Sequence, residues 1–384
     1  MASVKINDIL YPSIYDALRA AITDCFVLLD DGSFSAPILL PAAARVTLSG
    51  TGPINGSTLL NTPILQRSGQ GRIPEGFTIK DVRFEYLNQS GYIFSPSIGS
   101  VPYNPLNPVI TAFSLRNVTF AGIHQGGFNG TYMDISGAKN TTYDQISVSL
   151  SGQSGYDPIK GTGGGFFIFH EGGIGIRITN SFFNEANYST SIILLYMSDA
   201  LVSGNQFIGG GLIKQDDGND PTDNPRGERF YNAGGTFRDN SLKAGSFFDY
   251  YLNTKSDFGT VWTDYKKKYT TDDGSYGLRT VVTGNKFDII SGGFGVLLRA
   301  DVSQDTLQGM LAINNNIFTG GLAIRSDIES TSSLVFGPNT IDGIAFDSLH
   351  VGGRGNDQLN LSPKPGSSHW ISGGPGQDLS LIHI

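Results

Sequence analysis

The chain has 384 residues and a formal net charge of −8, an acidic balance that argues against a nucleic-acid partner or an anionic membrane surface. Gly, at 51 residues, is about twice as frequent as usual, and charged residues make up 16% against about 25% in an average domain. Together with 24 Phe and 16 Tyr, this composition fits an all-β chain with many turns. The single cysteine, Cys25, can form no internal disulfide, so folding needs no oxidising compartment. No apolar run approaches the ~18 residues of a membrane helix, which excludes membrane insertion by that route.

The first residues, MASVKINDILYPS, lack the apolar stretch of a cleaved signal peptide. The protein is therefore expected either to stay in the cytosol or to leave the cell without such a signal. SIYDALRAAITDC (13–25) follows, with Ile14, Leu18, Ala21, Ile22 and Cys25 on one helical stripe. Ser13 and Asp16 form a start resembling a capping box. This predicts a helix over 13–25 that covers the open end of whatever sheet comes next.

From residue 79 one six-residue phrase recurs: apolar, any, turn residue, any, any, apolar. Its copies are IKDVRF (79–84), LRNVTF (115–120), ITNSFF (178–183), VSGNQF (202–207), FRDNSL (237–242), VTGNKF (282–287) and INNNIF (313–318). FGPNTI (336–341) and YDQISV (143–148) are looser copies. Asn, Asp and Gly enter the left-handed backbone region at least cost, so the phrase describes strand, sharp bend, strand. The shortest intervals between copies, 24 and 23 residues, suit one coil of a parallel β-helix. Asn or Asp side chains stacked from coil to coil would then form a hydrogen-bonded ladder. A β-sandwich also has many short strands, but it has no reason to repeat one turn chemistry so often.

Longer intervals are read as insertions on one face. One carries Asp216, Asp217, Asp220 and Asp223; another carries Trp262, Tyr265, Lys266, Lys267, Lys268, Tyr269 and Tyr276. Several strands end in polar residues: His170 and Glu171, Tyr196 and Asp199, Asp249 and Tyr250, Arg299 and Asp301, Arg325 and Asp327. Stacked, these residues would line a groove of mixed charge with aromatic platforms, suited to an acidic or neutral glycan. Glu171, Tyr196, Asp249, Tyr250, Trp262 and Arg325 are the candidate substrate contacts. The plainer alternative is solvated edge residues and structural ion pairs.

Near the end, GGRGNDQLN (352–360) and SGGPGQDLS (372–380) repeat a glycine-rich phrase with one aspartate each, Asp357 and Asp378. The pattern is that of the RTX nonapeptide, whose stacked turns suit the six to eight oxygens of Ca²⁺. Ca²⁺ is accordingly the expected cofactor, with Asp357 and Asp378 as ligands. The 21-residue offset of the two phrases is not a multiple of nine. The final LSLIHI (379–384) resembles a translated sequencing-adapter end, which would mean a natural protein continuing into further repeats; a native last strand is the alternative.

Residues 13–52 and the repeats after them resemble the pectate-lyase-like right-handed parallel β-helix superfamily. The implied organisation is a β-helix with its N-terminal cap over 1–345 and a truncated RTX region, the start of a parallel β-roll, over 346–384. RTX tails imply secretion from a bacterium by a one-step, type I-like route, which agrees with the missing signal peptide. A β-helix joined to RTX repeats is also the layout of secreted alginate epimerases and some polysaccharide lyases. Both remove a ring proton beside a uronate carboxylate and need a base and a cation. GYDPIKG (155–161) keeps an Asp-Pro of the epimerase motif, with Ile159 where that motif has histidine. If the chain is catalytic, Tyr156 or His170 is the expected base, Arg299 or Lys160 would pair the carboxylate, and Asp157 would orient one of them. The expected partner is an extracellular polysaccharide; the rival is a non-catalytic surface, adhesion or tailspike-like rod. Neither reading fixes the oligomeric state.

Overall fold

The computed structural model describes residues 3–66, 74–96, 110–125, 132–151, 166–184, 190–209, 211–218, 234–254, 280–300, 311–328, 333–354, 358–361, 366–373 and 379–382. They are nearly all β, and the sheets are largely parallel. The chain divides into two compact units, Met1–Ile193 and Leu194–Ile384.

The first unit opens on strand Val4–Ile6, which pairs antiparallel with both Ile9–Tyr11 and Phe26–Leu29. Helix Ile14–Ala20 lies between them, and the Asp16 amide donates to the Ser13 hydroxyl at 3.1 Å, as the sequence suggested. It packs on the opening strands and on Ile38–Leu39 through Ile14, Ala17 and Leu18, all buried. The expected helix to Cys25 is a correction: Ala21 is already extended at ψ 134°, Ile22 is 65% exposed, and Asp24 is left-handed. Cys25 is buried just before the Phe26–Leu29 strand rather than on a helical stripe. Ile22 and Thr23 are β-branched, which lowers the local helix preference where the strand must begin.

Beyond the cap the ladder becomes parallel. Thr47–Ser49 pairs with Thr78–Gln89, which pairs with Ser114–His124, which pairs with Thr142–Ser151. Arg177–Thr179 and Phe182–Asn184 then lie in register with Thr142–Ser151. A second parallel set joins Ile110–Thr111, Met133–Lys139 and Phe166–Ile174. The recurring phrase stacks copy on copy: Leu115 lies opposite Ile79 and Tyr143, and Phe120 opposite Phe84 and Val148. YDQISV is thus a full copy.

The second unit repeats the arrangement. Ala200–Ser203, Gly235–Arg238, Thr280–Thr283 and Leu311–Asn314 form one parallel run. Gln206–Ile208, Ser241–Lys243, Lys286–Asp288, Ile317–Thr319 and Asn339–Ile341 form another. Gly211–Gly218, Phe247–Thr254, Phe294–Ala300 and Leu322–Ser326 form a third. Towards the end, Ser348–Val351 pairs in parallel with His369–Ser372, and Gln358–Leu361 with Leu379–Ile382. Both pairings step by 21 residues, so the offset between the glycine phrases equals the local stacking step.

Both apolar positions of every phrase are buried, from Ile79 and Phe84 to Phe336 and Ile341, and identical rings stack face to face. Phe84 lies on Phe120 and Phe287 on Phe318, each at 4.8 Å with planes 11° apart. Each buried side chain contributes up to about 1.5–3 kcal/mol, so the two of each copy add up to about 3–6 kcal/mol to the core. The third position behaves as the turn chemistry requires. Asp81, Asn117, Gln145, Asn180, Asp239 and Asn315 have φ of 50–57°, and Gly204 and Gly284 have φ of 67–68°. Pro338 is the exception, because its ring fixes φ near −65°.

The expected ladder also forms, one position later than the bend. In the second unit Asn205, Asn240, Asn285, Asn316 and Asn339 occupy the fourth position of successive phrases and are all buried. From Asn240 onward each side-chain oxygen accepts from the preceding asparagine's backbone N–H and Nδ2, as between Asn240 and Asn285 at 3.0 and 2.9 Å. In the first unit the fourth positions of the copies at 79, 115 and 143 are the buried Val82, Val118 and Ile146.

Candidate functional site

In strand Phe247–Thr254 successive side chains of Phe247–Tyr251 face opposite sides of the sheet, and that alternation sorts them between core and outer face. Phe248 and Tyr250 point inward and are buried, so Phe247, Asp249 and Tyr251 belong to the other face. Register carries that face across two more strands. Asp249 lies opposite Leu297, Tyr251 opposite Arg299, and Leu297 opposite Arg325.

On this face Arg299 forms a two-point bridge to Asp249, Nε to Oδ1 at 3.0 Å and Nη2 to Oδ2 at 2.6 Å. Its guanidinium lies 5.1 Å from the centre of the Tyr251 ring. Arg325 makes the same fork to Asp327 at 2.9 and 3.3 Å and sits 5.8 Å from the Phe294 ring. Phe294 meets Phe247 edge-on at 5.2 Å. Arg354 reaches Asp327 from the following segment at 3.2 Å. Among the described residues of this patch three arginines stand against two aspartates, on a chain of net −8.

The two partners of the first pair differ in depth. The Asp249 side chain is 6% exposed and that of Arg299 40%. Burial raises the Asp249 carboxyl above its ordinary value; the Arg299 charge opposes this, and Asp327 adds to it. Asp249 thus sits behind Arg299 and holds it, while Arg299 and Arg325 present their remaining edges outward. The consequence is an asymmetry. Arg299→Gln strands a buried carboxylate and is expected to cost about 2–4 kcal/mol, whereas Asp249→Asn frees an arginine that water can solvate and costs under about 1 kcal/mol. Urea denaturation of the two variants checks the order.

The other sequence candidates fall elsewhere. Tyr250 is fully buried, one residue out of phase with the surface row. His170 is also fully buried, on strand Phe166–Ile174 of the first unit, with Nε2 2.7 Å from the Tyr143 hydroxyl. Burial lowers its pKa to about 3, so it is a neutral core group here and not a solvent-facing base. Glu171 and Tyr196 lie on strands Phe166–Ile174 and Thr190–Ser198, and their side chains lie outside the described residues. Tyr156, Asp157, Lys160, Trp262, Asp301, Asp357 and Asp378 lie outside the described residues altogether. Among the described residues no three His, Cys, Asp or Glu side chains form a metal-holding group, and no helix is long and apolar enough to cross a membrane.

No protein-family model matches the chain, and no curated protein matches it. Solved structures similar to it include the catalytic unit of a thermostable GH87 alpha-1,3-glucanase from Streptomyces thermodiastaticus strain HF3-3. That structure is 10% identical, with 95% of this chain and 64% of that one covered and a TM-score of 0.35. A second is PfbA, a surface adhesin of Streptococcus pneumoniae, 12% identical over 87% of this chain and 75% of that one, with a TM-score of 0.33. The chain spans less than two thirds of the glucanase unit. Likeness at this level carries no inference about activity.

Proposed function

We propose that the chain is a right-handed parallel β-helix protein that binds an acidic polysaccharide outside the cell through the arginine and aromatic face of its second unit. The observation that carries this reading is the in-register row of Asp249, Leu297 and Arg325 beside Tyr251 and Arg299. Sugar rings present apolar C–H faces and carboxylates; aromatic rings flanked by guanidiniums are complementary to both. A stack of parallel strands repeats such contacts at the ~4.8 Å strand spacing, which suits a linear polymer better than a small ligand. Binding, rather than lyase or epimerase chemistry, is the reading favoured here, because the one proposed base that the structure describes, His170, is buried and neutral.

The extracellular setting and Ca²⁺ belong to the same proposal. Support for Ca²⁺ is the glycine phrase itself, whose two copies are offset by the same 21 residues as the paired strands Ser348–Val351 with His369–Ser372 and Gln358–Leu361 with Leu379–Ile382. Asp357 and Asp378 would supply the charged oxygens.

Affinity electrophoresis with alginate, pectate and neutral dextran tests the proposal. Retardation is expected with the two uronates and is expected to weaken with salt. Arg299→Gln combined with Arg325→Gln should weaken uronate binding by at least about tenfold, since each hydrogen bond to a charged group is worth about 1.5–3 kcal/mol. Equal retardation of the double variant, or none of the parent, would sink the proposal. Unsaturated or epimerised ends appearing in the same incubations would restore the enzymatic reading.

A further inference from the structure

The segment after the last recurring phrase brings two histidines together. Strand Ser348–Val351 buries Leu349 and Val351 inward, which leaves Ser348 and His350 on the opposite face. Ser348 lies opposite His369 in the parallel partner strand. His350 Nε2 and His369 Nδ1 are 3.3 Å apart, and both converge on Ser348 Oγ, at 3.0 and 2.7 Å. The far nitrogen of His369 is held by Ser367 Oγ at 2.7 Å, which fixes the ring. Asp347, one residue before the strand, accepts from the Ser368 amide at 2.8 Å and hydroxyl at 3.2 Å, which ties the two strand starts together.

We propose that His350 and His369 form a two-imidazole seat for a late divalent transition ion, Zn²⁺, Ni²⁺ or Cu²⁺, separate from the carbohydrate face and from any oxygen-lined Ca²⁺ site. Two ligand nitrogens about 2.0–2.1 Å from one tetrahedral ion lie about 3.3–3.4 Å from each other, which is the separation found. Two neutral imidazoles forming only a hydrogen bond would also tolerate 3.3 Å. What favours the ion is that the two ring nitrogens and Ser348 Oγ lie within 2.7–3.3 Å of one another, close enough for one ion to reach all three. Imidazole nitrogen suits Zn²⁺, Ni²⁺ and Cu²⁺, whereas Ca²⁺ takes oxygen. His350 is buried and Ser348 and His369 are half-buried, so the seat lies just beneath the surface.

The test is isothermal titration of the full chain with ZnCl₂ and with NiCl₂ at neutral pH, with excess Ca²⁺ present. One ion per chain is expected, with Cu²⁺ binding more tightly than either. His350→Gln and His369→Gln should each weaken binding by more than the 10–100-fold that loss of an outer-shell partner costs. X-ray absorption of the zinc-loaded chain should show two imidazole nitrogens at about 2.0 Å. No binding by the folded parent, unchanged binding in the His350→Gln, His369→Gln double variant, or displacement of zinc by Ca²⁺ would each overturn the proposal. Circular dichroism of the variants separates a lost ligand from a lost fold.

Discussion

Asn285→Ala is expected to lower the stability of the second unit by about 3–5 kcal/mol, a large share of the 5–15 kcal/mol that holds an ordinary domain together. Asn285 is 1% exposed and stands in the middle of the asparagine ladder. Its oxygen accepts from the backbone N–H and from Nδ2 of Asn240, and its own Nδ2 donates to the Phe237 carbonyl at 2.9 Å and to Asn316 Oδ1 at 2.9 Å. Alanine leaves two buried donors of Asn240 without an acceptor, at about 1–3 kcal/mol each, and adds a small cavity. Asn285→Asp should be worse at neutral pH. It restores the acceptor but points a buried carboxylate oxygen at two other acceptors, so the group must take up a proton to fit. Asn315→Gly, one position earlier in the next phrase, is the contrast. Asn315 is exposed, and its left-handed φ of 55° asks for a conformation rather than an amide, so glycine should change stability by only a few tenths of a kcal/mol. Equal losses for Asn285→Ala and Asn315→Gly in denaturant unfolding would contradict the ladder.

That contrast shows what the sequence could and could not disclose. The bend was legible because left-handed backbone is costly for most residues, so Asn, Asp and Gly at the third position carry a conformational message by themselves. Gln145 adopts the same φ without belonging to that group, between Asp144 and Ile146, which pair in register with Arg116 and Val118. The fourth position was left unspecified, yet Asn205, Asn240, Asn285, Asn316 and Asn339 all stand there. Reading the copies as columns rather than as separate motifs would have found the ladder.

The surface site was half legible for a related reason. Asp249, Arg299 and Arg325 were singled out as polar residues at strand ends, and the structure brings them together. Tyr250 was chosen beside Asp249 although neighbours in a strand face opposite ways; period-two counting from Asp249 picks Tyr251 instead. Phe247 and Phe294 were missed because an aromatic residue reads as core until register shows which face it occupies. The His350–His369 pair joins residues 19 apart across a parallel pairing, and no local pattern announces it.

Acid is expected to weaken the first unit before it weakens the second, and the cause is two buried histidines. His170 is fully buried, with its Nε2 2.7 Å from the Tyr143 hydroxyl, and burial raises the Tyr143 pKa well above the ordinary phenol value. His124 is 3% exposed, edge-on to Tyr86 at 4.6 Å and tilted against Tyr132 at 5.2 Å. Burial lowers the two pKa values to about 3 and about 4 from an unfolded value of 6.5. With the folded value depressed, the unfolded chain takes up protons first as pH falls. Full stability is therefore present above pH 6.5, and it declines towards pH 4 for His124 and pH 3 for His170. Each ring removes up to about 1.4 kcal/mol per pH unit once pH is well below 6.5, so the two together can lower stability by about 3 kcal/mol between pH 6.5 and 5. Hydrogen exchange in strands Ser114–His124 and Thr142–Ser151 should report this as faster opening at pH 5 than pH 7, after correction for intrinsic rates. Replacing both rings, His124→Gln with His170→Gln, lowers stability at every pH but should flatten the slope. A parent whose opening free energy is level from pH 6.5 to 5, or a double variant that keeps the parent's slope, would remove these histidines as the acid-sensitive element.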